Sequence, residues 1–300
     1  MGLRIRTNVA ALKAERNMGL TTDRLKQNME KLSSGYRINK SADDAAGLAI
    51  SDTLNSKIRS VSQAKRNALD GVSLIQVAEG SMNEMTNIMV RLRELATQAA
   101  SDTVGNLERS YTNKEYVQLV QEIDRISNST EFNGTKLLGG SEANGFESLV
   151  IHVGAGDGSQ ENTDTVDINI DNIKINPYEE LKLDKESEVG PKDLDPSEED
   201  VQGLFDRATA AEKLKVLDVA IKTVAGNRAT LGAKQSRLTS TINNLGVQLE
   251  NYSTSKSRIK DVDFASETAS LTQNRILGQA GASVLAQANS VPQLVMGLLN

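Results

Sequence analysis

The sequence predicts a mainly α protein, a long antiparallel helical bundle or coiled-coil rod that carries one β-hairpin. The first observation behind this is a heptad register that holds from Leu214 to Ile259, marked by Leu217, Ile221, Val224, Leu231, Leu238, Ile242, Leu245, Leu249 and Tyr252. At about 1.5 Å per residue, such a helix is roughly 70 Å long, and its narrow apolar seam needs another long helix to cover it. The second is composition: aromatics make up 3% of the chain and tryptophan is absent, as expected where thin seams replace a thick core. The third is that none of the four prolines precedes Pro177, so long uninterrupted helices are permitted before it.

The first helix is expected from about Thr7 to Leu32, with Leu25, Met29 and Leu32 on one face and Gly35 as a left-handed cap. After the link Tyr36–Lys40, Ser41 and Asp44 have the spacing of a capping box, opening a second helix to about Ala100. Its seam is Ala68, Val72, Ile75, Met82, Met85, Met89, Leu92, Ala96 and Ala99, with Glu79 intruding. Gly71 and Gly80 weaken it by about 1 kcal/mol each relative to alanine. Asp102–Asn106 reads as a loop. Thr112 with Glu115 then predicts a capped third helix carrying Leu119, Ile123 and Ile126, and Asn133-Gly134 a tight turn.

Beyond residue 146 the apolar period becomes two. Leu149, Ile151 and Val153 alternate with Ser148, Val150 and His152, and Val166, Ile168 and Ile170 alternate with Asp167 and Asn169. This predicts a hairpin joined by the Gly- and Asp-rich stretch 154–164. Residues 176–200 are acidic and broken by Pro177, Pro191 and Pro196, a surface excursion. Helix resumes by about Val201. In the heptad run, Arg228, Gln235 and Lys256 occupy apolar positions, where polar residues fix register and partner choice.

The last helix is expected from about Phe264 toward Leu299, with a kink near Pro292. Ile276, Ala280, Val284, Val291, Leu294 and Leu298 form one stripe; Leu277, Leu285, Ala288, Val295 and Leu299 form a second beside it. Arg275 is the last charged side chain. An uncharged helix apolar over most of its circumference belongs inside something, and at a chain end that points to an oligomer.

Chemistry is sparse. With no cysteine there is no disulfide, cysteine-ligated zinc or thiol nucleophile. His152 is the only histidine and lacks an H-E-x-x-H context, so it reads as a strand residue facing solvent. Gly154-Ala-Gly-Asp-Gly158 lacks the following Gly-Lys-Ser/Thr of a phosphate loop and reads as a hairpin loop. The acidic run Ser197–Asp200 lacks EF-hand ligand spacing and suits a helix N-terminus. No catalytic residue, cofactor or metal site is expected. Residues 1–40 carry nine Lys/Arg against three acids, and residues 176–206 eleven acids against three lysines, within a net charge of −6. Without aromatic interleaving, the basic arm does not point to nucleic acid. The N-terminus has no apolar h-region and no stretch reaches about 18 apolar residues, so neither a cleaved signal peptide nor a membrane span is expected.

Two blocks carry a family resemblance. Leu32-Ser-Ser-Gly-Tyr-Arg-Ile-Asn-Lys-Ser-Ala-Asp-Asp-Ala-Ala-Gly-Leu-Ala-Ile-Ser51 closely resembles the N-terminal signature of bacterial flagellins. Ile242-Asn-Asn-Leu245, Ser257-Arg-Ile-Lys-Asp-Val-Asp-Phe-Ala265 and Gln279-Ala-Gly-Ala-Ser-Val-Leu-Ala-Gln-Ala-Asn289 resemble the C-terminal one. The resemblance covers about 1–175 and 200–300.

It implies a structural subunit that polymerises into the extracellular filament used for swimming, exported through the flagellar type III channel without a cleaved signal peptide. Residues 1–40 and 264–300 would pair as an inner coiled coil. Residues 41–175 and 200–263 would form the helical rod domain with its hairpin, and 176–199 a short variable outer segment. The stripe Ile276, Ala280, Val284, Val291, Leu294 and Leu298 becomes the polymerisation candidate. Implied partners are the chain itself, an export chaperone, the filament cap, hook–filament junction proteins and the host Toll-like receptor for flagellin. Arg91, Leu95 and Glu115 agree with the rod-domain surface that this receptor reads, while Val90 departs from it, a Gln commonly preceding the Arg. Apart from the resemblance, Leu92 and Leu95 also fit the seam, with Arg91 and Arg93 as solvated neighbours. Two other readings compete: a hook–filament junction protein, which shares the terminal helices, and a soluble coiled-coil binding module, which would not end in an apolar stripe.

Overall fold

A computed structural model describes residues 8–139, 148–154, 156, 164–169, 173–177, 181 and 207–298; the side chains of 207–209 and 291–298 are not part of that description. Described elements run α1 (Val9–Ser34), α2 (Ala45–Ala99), α3 (Asn106–Ser129), β1 (Glu131–Phe132), β2 (Thr135–Lys136), β3 (Ser148–His152), β4 (Thr165–Asn169), α4 (Arg207–Lys260) and α5 (Phe264–Leu298). The chain divides into two compact units, Met1–Arg59 with Leu249–Asn300, and Ser60–Gln248. Helices α2 and α4 contribute residues to each.

In the second unit the seam of α2 is dry. Ala68, Ile75, Met82, Met85, Met89, Leu92, Ala96 and Ala99 are fully buried, as their spacing predicts, and Val72 is half-buried beside them. They pack with Leu217, Val224, Leu231 and Leu238 of α4, which runs antiparallel. The two polar intruders answer each other: Arg228 Nη2 lies 3.8 Å from Glu79 Oε1. Gln235, another of the three expected register markers in this helix, is half-buried.

Helix α3 begins earlier than Thr112. It opens at Asn106, where the Glu108 carboxylate accepts the Gly105 N–H at 2.9 Å. Thr112 instead lies inside the helix, its hydroxyl donating to Glu108 O at 3.0 Å. The buried Arg109 folds back on the end of α2, donating to the carbonyls of Ala99 at 3.0 Å and Ser101 at 2.9 Å. A cation placed there satisfies carbonyls that have no intrahelical partner. Tyr116, on the inner face of α3, is buried, and burial pushes its hydroxyl up to about 12.

Asn133 and Gly134 take φ of 51° and 80°, the two positive values that a tight two-residue hairpin turn requires, and join β1 to β2. Ser127 Oγ donates to the carbonyls of Leu138 and Ile175, tying the following segment to α3. Strands β3 and β4 pair antiparallel, Ile151 opposite Val166 and Leu149 opposite Ile168. Ile151 presses onto α2 where Gly71 offers no Cβ, and Asn67 Nδ2 donates to His152 O at 3.0 Å. Gly71 is therefore a docking point for the hairpin rather than a simple weakness. His152 is half-buried, and Gly154 and Gly156 lie with their backbones against the Asp164 carboxylate. The remainder of this loop, the strand position Ile170 and the acidic run Ser197–Asp200 lie outside the described residues. So does the 176–199 segment, apart from 176, 177 and 181; Leu181 is buried.

In the first unit, Gly35 ends α1 in the left-handed conformation (φ 74°), its N–H bonding Lys31 O at 2.9 Å. Ser41 does not cap α2. Asp44 does, accepting the Gly47 N–H at 2.9 Å, while Asp43 accepts from the N–H groups of Asn39 and Lys40. Those bonds hold the Asp43 carboxyl below its ordinary value. The link after α1 is stitched to the end of α4: Arg37 N donates to Lys260 O at 2.7 Å, and its guanidinium to the carbonyls of Arg258 and Ile259. Lys256, an expected register marker, reaches Asn55 Oδ1 at 2.9 Å.

Candidate functional site

Helices α1 and α5 form an antiparallel pair. A Cβ on Gly281 would lie 4.0 Å from Met18 Cβ, and one on Gly278 4.0 Å from Thr21 Cγ2. Burial repeats at alternating threes and fours on each helix. On α1 the shielded positions are Ala11, Ala14, Met18, Thr21, Leu25, Asn28 and Leu32; on α5 they are Glu267, Leu271, Asn274, Gly278, Gly281, Leu285 and Ala288. This spacing makes a heptad seam. It mixes the small residues Ala11, Ala14, Gly278, Gly281 and Ala288 and several polar ones with Met18, Leu25, Leu32, Leu271 and Leu285, and Asn28 is the one residue of α1 that is buried.

Larger apolar side chains of the same helices point outward. Ile276 and Val284 of the expected polymerisation stripe are 60% and 59% exposed, and Ala280 between them is exposed too. Val291, Leu294 and Leu298 lie on the continuing helix, with side chains outside the described residues. The second stripe splits: Leu285 and Ala288 face α1, while Leu277 is exposed. Phe264, Thr268, Ala269, Thr272, Ile276 and Leu277 line an open apolar groove. On α1, Val9, Leu12, Leu20 and Met29 are exposed in the same way. The helix is continuous through Pro292.

Arg91, Leu95 and Glu115 occupy the second unit. Arg91 Nε donates to Glu115 Oε1 at 2.9 Å and Nη1 to Glu94 Oε2 at 3.0 Å. The Glu115 bond, then the Glu94 bond, raise the Arg91 guanidinium above its ordinary value. Arg93 reaches Asp218 of α4 at 2.8 Å. The structure thus brings Arg91 and Glu115 together on an exposed surface, while Leu95 is 2% exposed and belongs to the core beside the fully buried Leu92. Apolar periodicity places Leu95 in the seam with Leu92, and their charged neighbours Arg91 and Arg93 reach solvent, as does Val90.

Sequence reasoning passed over Asn8, Asn28, Glu267 and Asn274, the polar groups of the terminal pair. A heptad register traced through Ala11, Ala14, Met18, Thr21 and Leu25 would have shown Asn28 as its next member.

Residues 5–143 match the bacterial flagellin N-terminal helical region, and residues 214–299 the bacterial flagellin C-terminal helical region. A flagellin of Bacillus subtilis is 41% identical, over 99% of this chain and 100% of its own. The chain belongs to the flagellin family. A flagellar filament 33 kDa core protein of Treponema phagedenis is 38% identical, covering 98% of this flagellin and 99% of its own length. A structure described as a flagellar hook-associated protein from Vibrio parahaemolyticus superposes with a TM-score of 0.57 over 73% of this chain and 100% of its own. At 14% identity, that likeness is one of fold. The family is one of structural proteins. Among the described residues, no helix is long and apolar enough to cross a membrane.

Proposed function

We infer that this flagellin is the structural subunit of an extracellular bacterial flagellar filament and polymerises through α1 and α5. The observation that carries this is the outward stripe of α5, where Ile276 and Val284 remain more than half exposed beside the face that packs on α1. A monomer holds that surface in water. Burying it between subunits yields about 25 cal/mol per Å² of apolar area, offset by the entropy of ordering the two helices. Residues 1–40 and 264–300 are then the assembly segments, 41–175 and 200–263 the domain outside them, and 176–199 a variable outer segment. Export through the flagellar type III channel, and contacts with an export chaperone, the filament cap and hook–filament junction proteins, complete this reading. Deleting 264–300 is expected to abolish filaments seen by electron microscopy while circular dichroism retains the helix of the second unit. Filaments from the truncated chain would sink the reading.

A second surface supports recognition by the host Toll-like receptor for flagellin. Arg91 and Glu115 are paired and exposed on α2 and α3, so they offer a partner a fixed charge pattern. Leu95 supports them from below. Changing Arg91→Ala together with Glu115→Ala is expected to lower signalling in a receptor reporter cell. Unchanged signalling rejects the site.

A further inference from the structure

Alanine or glycine at Ala11, Ala14, Gly278, Gly281 and Ala288 makes part of the seam permissive. If α5 slid along α1 by one heptad, Met18 would leave Gly281 for Ala288 or Asn274, and most seam positions would again meet small residues. Apolar packing therefore discriminates poorly between registers. Two polar nodes discriminate well.

The first is Asn28. Its Oδ1 accepts from Asn274 Nδ2 at 2.8 Å and its Nδ2 donates to Glu267 Oε1 at 2.5 Å. The buried amide thus has a use for its donor and its acceptor in this alignment; because Glu267 and Asn274 stand seven residues apart, a slide of one heptad puts one of them in the other's place and leaves Asn28 a single partner. An amide left short of a partner in a shielded seam costs free energy that a well-paired one does not.

The second node is Asn8. Its Oδ1 caps α1 by accepting the Ala11 N–H at 3.0 Å, and its Nδ2 donates to Ala288 O at 2.8 Å. The carbonyl of Ala288 is a special one. Its helical partner would be the N–H four residues later, and that residue is Pro292, which has none. Since α5 continues through Pro292, the helix leaves this acceptor open, and Asn8 fills it. A heptad slide toward the start of α5 would bring Asn8 opposite the carbonyl of Gly281, whose partner, the N–H of Leu285, lies within the helix.

We propose that Asn8 and Asn28 form a two-point register lock on the α1–α5 pair, with the carbonyl released by Pro292 as one of its keyholes. The lock fixes which residues of the outward stripes of α1 and α5 lie side by side. It rests on the pairing of these two helices, and it deepens the filament reading by setting the surface that assembly would use.

The absence of cysteine makes the register directly readable. Met18→Cys with Gly281→Cys places two Cβ atoms 4.0 Å apart, inside the range a disulfide accepts. Met18→Cys with Ala288→Cys reports a slide of one heptad. Each pair is oxidised in the full chain under polymerising conditions, and the intrachain disulfide is quantified by mass spectrometry. In the native background the first pair is expected to dominate. Adding Asn8→Ser, which keeps a capping oxygen but lacks the amide donor, together with Asn28→Leu should lower the ratio of native to slid disulfide by about tenfold with helix content retained. Asn8→Ser alone should lower it about threefold, and decides the matter if the double change loses helix. Equal yields in the native background, or a ratio unmoved by these substitutions, would overturn the lock. Electron microscopy of the parent chain reports separately on whether filaments form, so the two readings fail independently.

Discussion

The α2–α4 seam of the second unit and the α1–α5 seam of the first share heptad spacing and antiparallel direction, yet they bury different things. The former encloses Met82, Met85, Met89 and Leu92 at 0% exposure, covered also by α3 and the β3–β4 hairpin. The latter only half-buries Met18, Leu25, Leu271 and Leu285 among alanine, glycine and asparagine, and turns Phe264, Ile276 and Val284 toward solvent. One pair encloses its large side chains completely, and the other half-buries some and leaves a second set exposed. Secondary structure alone does not separate a folding core from an assembly surface. The direction of the large side chains does.

The largest expected effect on folding stability comes from the dry seam. Met85→Ala removes a fully buried side chain from the centre of the second unit, which should cost about 2–5 kcal/mol. Chemical denaturation followed by circular dichroism measures it. A loss below about 1 kcal/mol would mean that this seam is packed no better than the terminal one.

A smaller loss is expected at alkaline pH. Tyr116 is buried in the second unit with its hydroxyl at about 12, against an ordinary value of 10. Between those values the unfolded chain gives up the proton first, so the folded state binds more protons and its stability falls as pH rises. The contribution is whole below pH 10 and declines through pH 12, about 2–3 kcal/mol in all. The α1 and α5 helices contain no tyrosine. Urea midpoints of the parent and of Tyr116→Phe should diverge across this window, and parallel curves would show that water reaches the phenol.

Two glycines of α2 sharpen the contrast at about 1 kcal/mol. Gly80 has open space where a Cβ would stand, so Gly80→Ala should stabilise by about 1 kcal/mol through helix propensity. Gly71→Ala has the same propensity gain but pushes on Ile151 of the hairpin and comes within 3.3 Å of Leu238 Cδ1. It is expected to gain nothing. Equal gains at the two positions would show a hairpin that docks loosely.

These differences mark what was legible. Met82, Met85, Met89 and Leu92 were readable as a seam because large apolar residues at helical spacing have few other uses. Glu79 and Arg228 stood out as polar residues in apolar series, and the structure pairs them. The start of α3 was missed because Gly105 has no side chain to announce a cap, while Thr112 and Glu115 imitate one further along. Strands β1 and β2 are too short to show periodicity, so only their Asn133-Gly134 turn was visible. On α5 the stripe through Ile276 and Val284 was evident. The face turned to α1 was legible only at Leu285 and Ala288, since glycine and asparagine carry little hydrophobic signal and gain meaning only opposite Met18, Thr21 and Asn28.

The smallest expected change in stability is the one that tests the comparison hardest. Ile276 and Val284 are large, apolar and exposed, so Ile276→Ser with Val284→Ser removes little that folding has buried. The denaturation midpoint should move by no more than about 0.5 kcal/mol, as for surface positions generally. Electron microscopy under polymerising conditions should nonetheless show few or no filaments, because each subunit would lose this apolar area from every contact it makes. The same chemistry applied to Met85 should have the opposite character, lowering stability and affecting assembly only as far as the second unit unfolds. If the serine variant were destabilised as strongly as Met85→Ala, the outward stripe would be a core of the monomer after all. If it kept its stability and still built filaments, the stripe would not be the surface that joins subunits.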